Sequence, residues 1–125
     1  MQAKPWTEDL LEIKHSIEPI AETTFNSVLI NFYRDGKDRV AWHSDDEKEL
    51  GENPVIGSVS LGAERRFKLR HKRYKENQLS HEITLNNGSL LLMSGTTQHN
   101  WLHEIPRTAK PIGPRINLTF LVIKQ

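Results

Sequence analysis

Two histidines and one carboxylate in this chain could share a metal ion. His43 and Asp45 stand one residue apart in Trp42-His43-Ser44-Asp45, and His103 lies far downstream. Two imidazoles and a carboxylate form the ligand set of a non-heme Fe(II) centre, which keeps open positions for a co-substrate and O2. In extended backbone, side chains alternate between faces, so residues two apart point the same way. His43 and Asp45 would then reach one ion from a single strand end. The third ligand would come from another strand, and the chain between Asp45 and His103 is long enough for several. A lone H-x-D pair is common in proteins, so its weight depends on the rest of the chain.

The last apolar-patterned stretch is the second chemical signal. In Arg115-Ile116-Asn117-Leu118-Thr119-Phe120 the period of two puts Arg115, Asn117 and Thr119 on one face. Ile116, Leu118, Phe120 and Val122 take the other. A polar face turned into a barrel needs partners, because unpaired buried polar groups are costly. An arginine there suits a bound carboxylate, which it can grip through two parallel hydrogen bonds. The alternative is an exposed strand face with ordinary polar residues.

The elements that must carry these residues follow from patterning. Residues 7–16 read as a helix: Thr7 caps it, Glu8 and Asp9 suit its positive end, and Leu10, Ile13 and Ile17 share one face. Pro19 is expected to close it. Strand-like runs follow. In 26–33, Val28, Ile30 and Phe32 alternate with Leu29, Asn31 and Tyr33. Asp35-Gly36 marks a turn. Further strands are expected at 54–61, around Phe67 and Leu69, at 82–85, 89–93, 98–105 and 115–123, with a proline-containing loop at 106–114. One helix and seven or eight short strands predict a mainly β (α+β) sandwich or barrel, such as a jelly roll.

Composition narrows the classes. A chain of 125 residues with 36% hydrophobic content fits one domain, 1–125. There is no cysteine, so disulfides and thiolate metal sites are excluded, and a reducing compartment is compatible. No apolar run reaches the ~18 residues a membrane helix needs, and the first residues do not read as a signal peptide. The net charge of +1 gives no global field for nucleic acid. Basic residues cluster locally, however: Arg65, Arg66, Lys68, Arg70, Lys72, Arg73 and Lys75. They could contact phosphates, or could protect a solvated edge strand from pairing.

Taken together, the chain resembles the AlkB-type Fe(II)/2-oxoglutarate dioxygenases, and looks closest to their animal-type nucleic-acid repair branch. The matching segments run in family order: Asn31-Phe32-Tyr33, Trp42-His43-Ser44-Asp45-Asp46-Glu47, Ser58-Val59-Ser60-Leu61-Gly62-Ala63 and Phe67-Lys68-Leu69-Arg70-His71-Lys72. Asn87-Gly88-Ser89-Leu90-Leu91, Trp101-Leu102-His103-Glu104-Ile105-Pro106 and Pro114-Arg115-Ile116-Asn117-Leu118-Thr119-Phe120 follow. The resemblance implies a double-stranded β-helix. It also implies oxidative removal of methyl groups from bases such as N1-methyladenine and N3-methylcytosine, with Fe(II) and 2-oxoglutarate as cofactors.

Carried across by residue, the resemblance implies that His43, Asp45 and His103 are the metal ligands. The Trp-x-His-x-x-Pro frame selects His103 over His99, which would share its face in a strand. Asn31, Tyr33, Arg115, Asn117 and Thr119 would hold 2-oxoglutarate. Asp46 and Glu47 would meet the polar edge of the base, and Arg70, His71 and Lys72 the nucleic-acid backbone. The expected partner is alkylated DNA or RNA, single-stranded or with a flipped base, bound by a monomer in the cytoplasm or, in a eukaryote, the nucleus. Two departures stand out. Leu121 occupies the place of a second family arginine and cannot donate to a carboxylate. The family's N-terminal nucleotide lid is expected to be reduced or absent, since only 30 residues precede Asn31, and Trp6 is not expected to replace the lid's stacking aromatic. Competing readings are a related oxygenase acting on protein or a small molecule, and a catalytically impaired nucleic-acid-binding module.

Overall fold

The computed structural model describes residues 6–45 and 47–124. In chain order the elements are α1 (Glu8–Ala21), β1 (Ser27–Tyr33), β2 (Val40–His43), a 3-10 turn (Lys48–Leu50), β3 (Ile56–Gly62) and β4 (Arg65–His71). They continue with α2 (Tyr74–Asn77), β5 (Ser80–Leu85), β6 (Ser89–Met93), α3 (Thr97–Asn100), β7 (Trp101–Ile105) and β8 (Arg115–Leu121). The strands form two four-stranded sheets, ordered β1-β8-β3-β6 and β2-β7-β4-β5, with every pairing antiparallel. Successive strands mostly cross from one sheet to the other, which is the winding of a double-stranded β-helix, as expected from the pattern. Among the described residues, no helix is long and apolar enough to cross a membrane.

Helix α1 starts as expected. Thr7 Oγ1 accepts the Leu10 N–H at 3.2 Å, satisfying one of the open donors of the first turn. It does not stop before Pro19, which lies inside it. Proline's fixed φ is helical and its cost is one missing donor plus crowding of the turn before it. Three contacts of Glu18 offset that cost. Its carboxylate pairs with Lys14 at 2.7 Å and accepts the Phe25 N–H at 2.8 Å. Its carbonyl accepts the N–H of Glu22, which closes the helix in the left-handed region at φ 56°.

The two faces of β8 explain how the sheets position a site. Leu118 and Phe120 join Ile17, Phe25 and Val59 in a cluster on the outer face, under α1. Phe120 is fully buried, a contribution of about 2–3 kcal/mol, and Trp6 stacks on it at 6.2 Å. Trp6 is thus part of the helix–sheet seam. The other face of β8 turns inward. Leu121 joins Tyr33, Leu50, Ile56, Phe67, Leu85, Met93 and Ile105 between the sheets, while Arg115, Asn117 and Thr119 line a cavity there.

Two expectations are corrected. Residues 98–105 are not one strand, because 97–100 are helical before β7 begins. Side-chain to backbone bonds select the turn: Thr97 Oγ1 donates to the Ser94 carbonyl at 2.7 Å. The basic run is not an edge strand either. Strand β4 lies between β7 and β5, so the charges have no edge to guard. Arg65 is buried and donates to the carbonyls of Asp35, Asp38 and Pro106 at 3.3, 2.8 and 2.7 Å. It pins two loops and is not available to phosphate. At the end of β3, Gly62 has φ +99° and pairs with Arg115. A Cβ there would lie 2.5 Å from the Pro114 carbonyl, so glycine lets the chain enter β8 in close contact.

Candidate active site

His43 ends β2 and His103 stands mid-way along β7. They are cross-strand partners, with ring centroids 4.3 Å apart. Directly opposed residues of an antiparallel pair share a face, so the sheet itself brings the two imidazoles together. Asp45 arrives differently. Strand β2 stops at His43, and its register slips between Val40 and His43. The expected pleat therefore does not aim Asp45. Its backbone N–H instead donates to the Gln98 side-chain oxygen at 2.7 Å, and its carboxylate lies 3.7 Å from His103 Nε2. One ligand atom from each of His43, Asp45 and His103 falls within 4.8 Å of the others, close enough to hold a metal ion.

The protonation states suit a cation. His43 Nδ1 lies 2.9 Å from the Ala41 carbonyl. A carbonyl only accepts, so Nδ1 is the donor here, which leaves Nε2 as the atom that would meet a metal. His103 is buried against the Phe67 ring at 5.2 Å. Burial, with a smaller contribution from His43, pushes its pKa down to about 4, so it stays neutral well below pH 7. The metal-free protein should accordingly lose stability as pH falls. Below the ordinary histidine value of 6.5 the unfolded chain takes a proton that folded His103 refuses. The loss begins near pH 6.5, is complete near pH 4 and amounts to on the order of 3 kcal/mol. Chemical denaturation of wild type and His103→Gln across this window isolates it. An unchanged slope in the variant would assign the acid sensitivity to other groups.

The same cavity, of about 100 Å³, is lined on its other side by β1, β3 and β8. Arg115 is 2% exposed. Its Nη2 donates to Ser60 Oγ at 2.9 Å, and its guanidinium lies 4.8 Å from the Tyr33 ring. Its Nε and Nη1 are buried without a hydrogen-bond partner. Burial lowers its pKa from the ordinary arginine value, reflecting the cost of an under-solvated cation. A buried guanidinium with donors left unpaired favours a bound anion such as a carboxylate, so the residues present fit a dicarboxylate co-substrate beside the metal ligands.

The other expected site residues fall into groups. Asn31 and Tyr33 line the cavity from β1, with Asn31 more exposed. Asn117 and Thr119 line it too, but are engaged with neighbours. Thr119 Oγ1 donates to Asn117 Oδ1 at 2.6 Å, and Asn117 Nδ2 donates to Ser58 Oγ at 2.7 Å. Asp46 lies outside the described residues. Glu47 is exposed, and its carbonyl accepts the Leu50 N–H of the 3-10 turn. Arg70 lies on the outer face of its sheet, 4.4 Å over the Trp42 ring. His71 pairs in register with Trp101 on the inner face, ring centroids 5.3 Å apart, and Lys72 is exposed. His99 does not share a face with His103. It is exposed on α3, where its ring faces the Asn53 N–H at 3.5 Å.

Three residues escaped the sequence reading: Ser58, Ser60 and Gln98. The alternation of Ser58 and Ser60 with Val59 and Leu61 could have revealed the two serines. Nothing local marks Gln98.

With this geometry in view, comparisons with known proteins become informative. Residues 1–120 match the family model described as "2OG-Fe(II) oxygenase superfamily". The chain is 45% identical over 130 residues to the "Alpha-ketoglutarate-dependent dioxygenase alkB homolog 3" of Mus musculus, covering 98% of this chain and 46% of that protein. It is 41% identical over 125 residues to the "DNA oxidative demethylase ALKBH2" of Homo sapiens, covering 96% and 48%. The chain thus spans about half the length of these relatives. The solved structure "The structure of OsALKBH1" superposes with a TM-score of 0.73 at 19% identity, over 97% of this chain and 66% of that one, a likeness of fold.

Proposed function

Because this chain belongs to the 2OG-Fe(II) oxygenase superfamily and is of AlkB type, we propose that it removes alkyl groups oxidatively from N-alkylated bases, such as N1-methyladenine and N3-methylcytosine, in DNA or RNA. The observation carrying the chemical part is one cavity that joins the His43–Asp45–His103 cluster to a buried arginine with two unpaired donors. The substrate class is supported by relatives named for acting on DNA.

In this reading His43, Asp45 and His103 hold the iron, and Arg115 receives the far carboxylate of 2-oxoglutarate, with Asn31 and Tyr33 beside it. Asn117 and Thr119 keep the wall of the cavity rigid through their shared hydrogen bond. When bound, the two cofactors supply an oxidation that turns 2-oxoglutarate and O2 into succinate and CO2 and releases the methyl carbon as formaldehyde. The chain's own residues position and exclude. Neutral His103 offers one ring lone pair, and the Ala41 carbonyl holds His43 Nδ1 so that Nε2 is the atom left for the metal. Phe67, Met93 and Ile105 keep that side of the cavity apolar. Asp46 and Glu47 carry charge opposite to that of a base made cationic by N1 or N3 methylation. Arg70, His71 and Lys72 are placed with the strand backbone, and a base taken from a duplex must first be flipped. The protein is read as a monomer acting in the cytoplasm or nucleus, where such substrates occur.

The test is an anaerobic Fe(II) and 2-oxoglutarate titration followed by turnover on a single-stranded oligonucleotide bearing N1-methyladenine. Formaldehyde and succinate in equal amounts are expected. Succinate from peptide substrates only would overturn the substrate class. Salt-sensitive oligonucleotide binding without formaldehyde would make the chain a binding module.

A further inference from the structure

We propose that Gln98 is a positioning residue that sets the Asp45 ligand against His103; this rests on the reading of His43, Asp45 and His103 as the metal centre. Gln98 is 0% exposed, one of the most deeply buried side chains in the protein. Burying a primary amide is unfavourable unless its donors and acceptor are matched. Here the match is one-sided. The Oε1 accepts the Asp45 N–H at 2.7 Å and lies 3.4 Å from His103 Nε2. The Nε2 reaches only Met93 Sδ, at 3.4 Å, and a thioether is a weak acceptor.

An apolar side chain of the same size would suit the neighbourhood of Met93 better, so packing does not account for an amide here. What the amide does account for is the position of Asp45. The residue follows the end of β2, where no ladder holds the backbone. A hydrogen bond between residues 53 positions apart in sequence engages its N–H. The same oxygen faces the nitrogen of a second ligand. Gln98 Oε1 therefore ties the Asp45 backbone to the neighbourhood of His103 on the central strand β7. Helix α3 makes this possible, because its turn points Gln98 inward while His99 points out. Leu121, in the place of an arginine, is packed in the inner cluster with Met93 and cannot hold a carboxylate. Gln98 supplies a polar contact to the Asp45 segment from another direction.

The experiment uses the whole chain with Co(II) as the probe, and reads three quantities. The first is amide hydrogen exchange at Asp45 in metal-free wild type, expected to be slowed. The second is Co(II) affinity from its visible absorption. The third is the thermal midpoint. Gln98→Met, which keeps the volume and removes the oxygen, is expected to free the Asp45 amide and to weaken Co(II) binding about 10- to 100-fold, the range for loss of a supporting residue. Its thermal midpoint should stay close to that of wild type. Gln98→Glu, which keeps an oxygen in place, is expected to restore Asp45 protection. Wild-type Asp45 exchanging freely would overturn the proposal without any variant having to fold. So would Gln98→Met binding Co(II) as tightly as wild type, or losing affinity only as its fold melts. If wild type itself fails to bind Co(II), the metal-centre reading falls, while slowed Asp45 exchange still reports whether Gln98 holds the loop.

Discussion

His43→Ala is expected to abolish succinate formation from 2-oxoglutarate and to remove tight metal binding, with the fold retained. The imidazole is one of three groups whose ligand atoms lie within 4.8 Å of each other, and no other histidine, aspartate or glutamate completes such a cluster among the described residues. The two groups left behind would be a buried neutral imidazole and a carboxylate. The effect should exceed the roughly 10- to 100-fold that loss of a mere supporting residue causes. The side chain is only half-buried, so its removal leaves no sealed void and the thermal midpoint should hardly move. Iron titration, succinate assay and thermal unfolding on the same preparation separate the outcomes. Iron-dependent turnover surviving in this variant would contradict the ligand assignment.

Arg115→Met is expected to raise the KM for 2-oxoglutarate by roughly 30- to several thousand-fold, corresponding to the ~2–5 kcal/mol typical of deleting one partner of a buried charge pair. The stability of the metal-free protein should move the other way. A guanidinium that is 2% exposed, with Nε and Nη1 unpaired, is a burden until a carboxylate arrives. Removing an incompletely paired buried charge relieves its desolvation cost, and an apolar side chain of similar volume keeps the packing. The signature is therefore an unchanged or higher thermal midpoint without co-substrate, together with loss of the stabilisation that 2-oxoglutarate confers on wild type by mass action. A variant that melts early yet keeps its KM would show Arg115 to be structural.

Both predictions rest on contacts read at different levels. The polar face of β8 was visible in the chain, because a period of two survives in any environment that buries one face and not the other. Fold class followed for the same reason: alternating runs, punctuated by turn residues, leave few ways to bury their apolar faces. The departures lie where side-chain contacts, some local and some distant, outweigh backbone propensity. Pro19 did not end α1, because Glu18 makes three contacts across that turn. Residues 97–100 left the extended state, because Thr97 Oγ1 donates to the Ser94 carbonyl. Arg65 looked like its basic neighbours, but three distant carbonyls claim it.

The aim of Asp45 shows the divide most clearly. The spacing of His43 and Asp45 announced a metal pair, but the pleat invoked to explain it ends before Asp45 is reached. By itself the order of residues determined which chemistry was available: two imidazoles, a carboxylate, an arginine in an alternating strand, and a pattern that winds into two facing sheets. Only the folded chain decided which groups share a cavity, which arginine is left with empty donors, and that an amide from α3 bonds the Asp45 backbone. Pattern and propensity act over a few neighbouring residues, whereas convergence of side chains depends on strand register and loop path, which only the packed whole fixes.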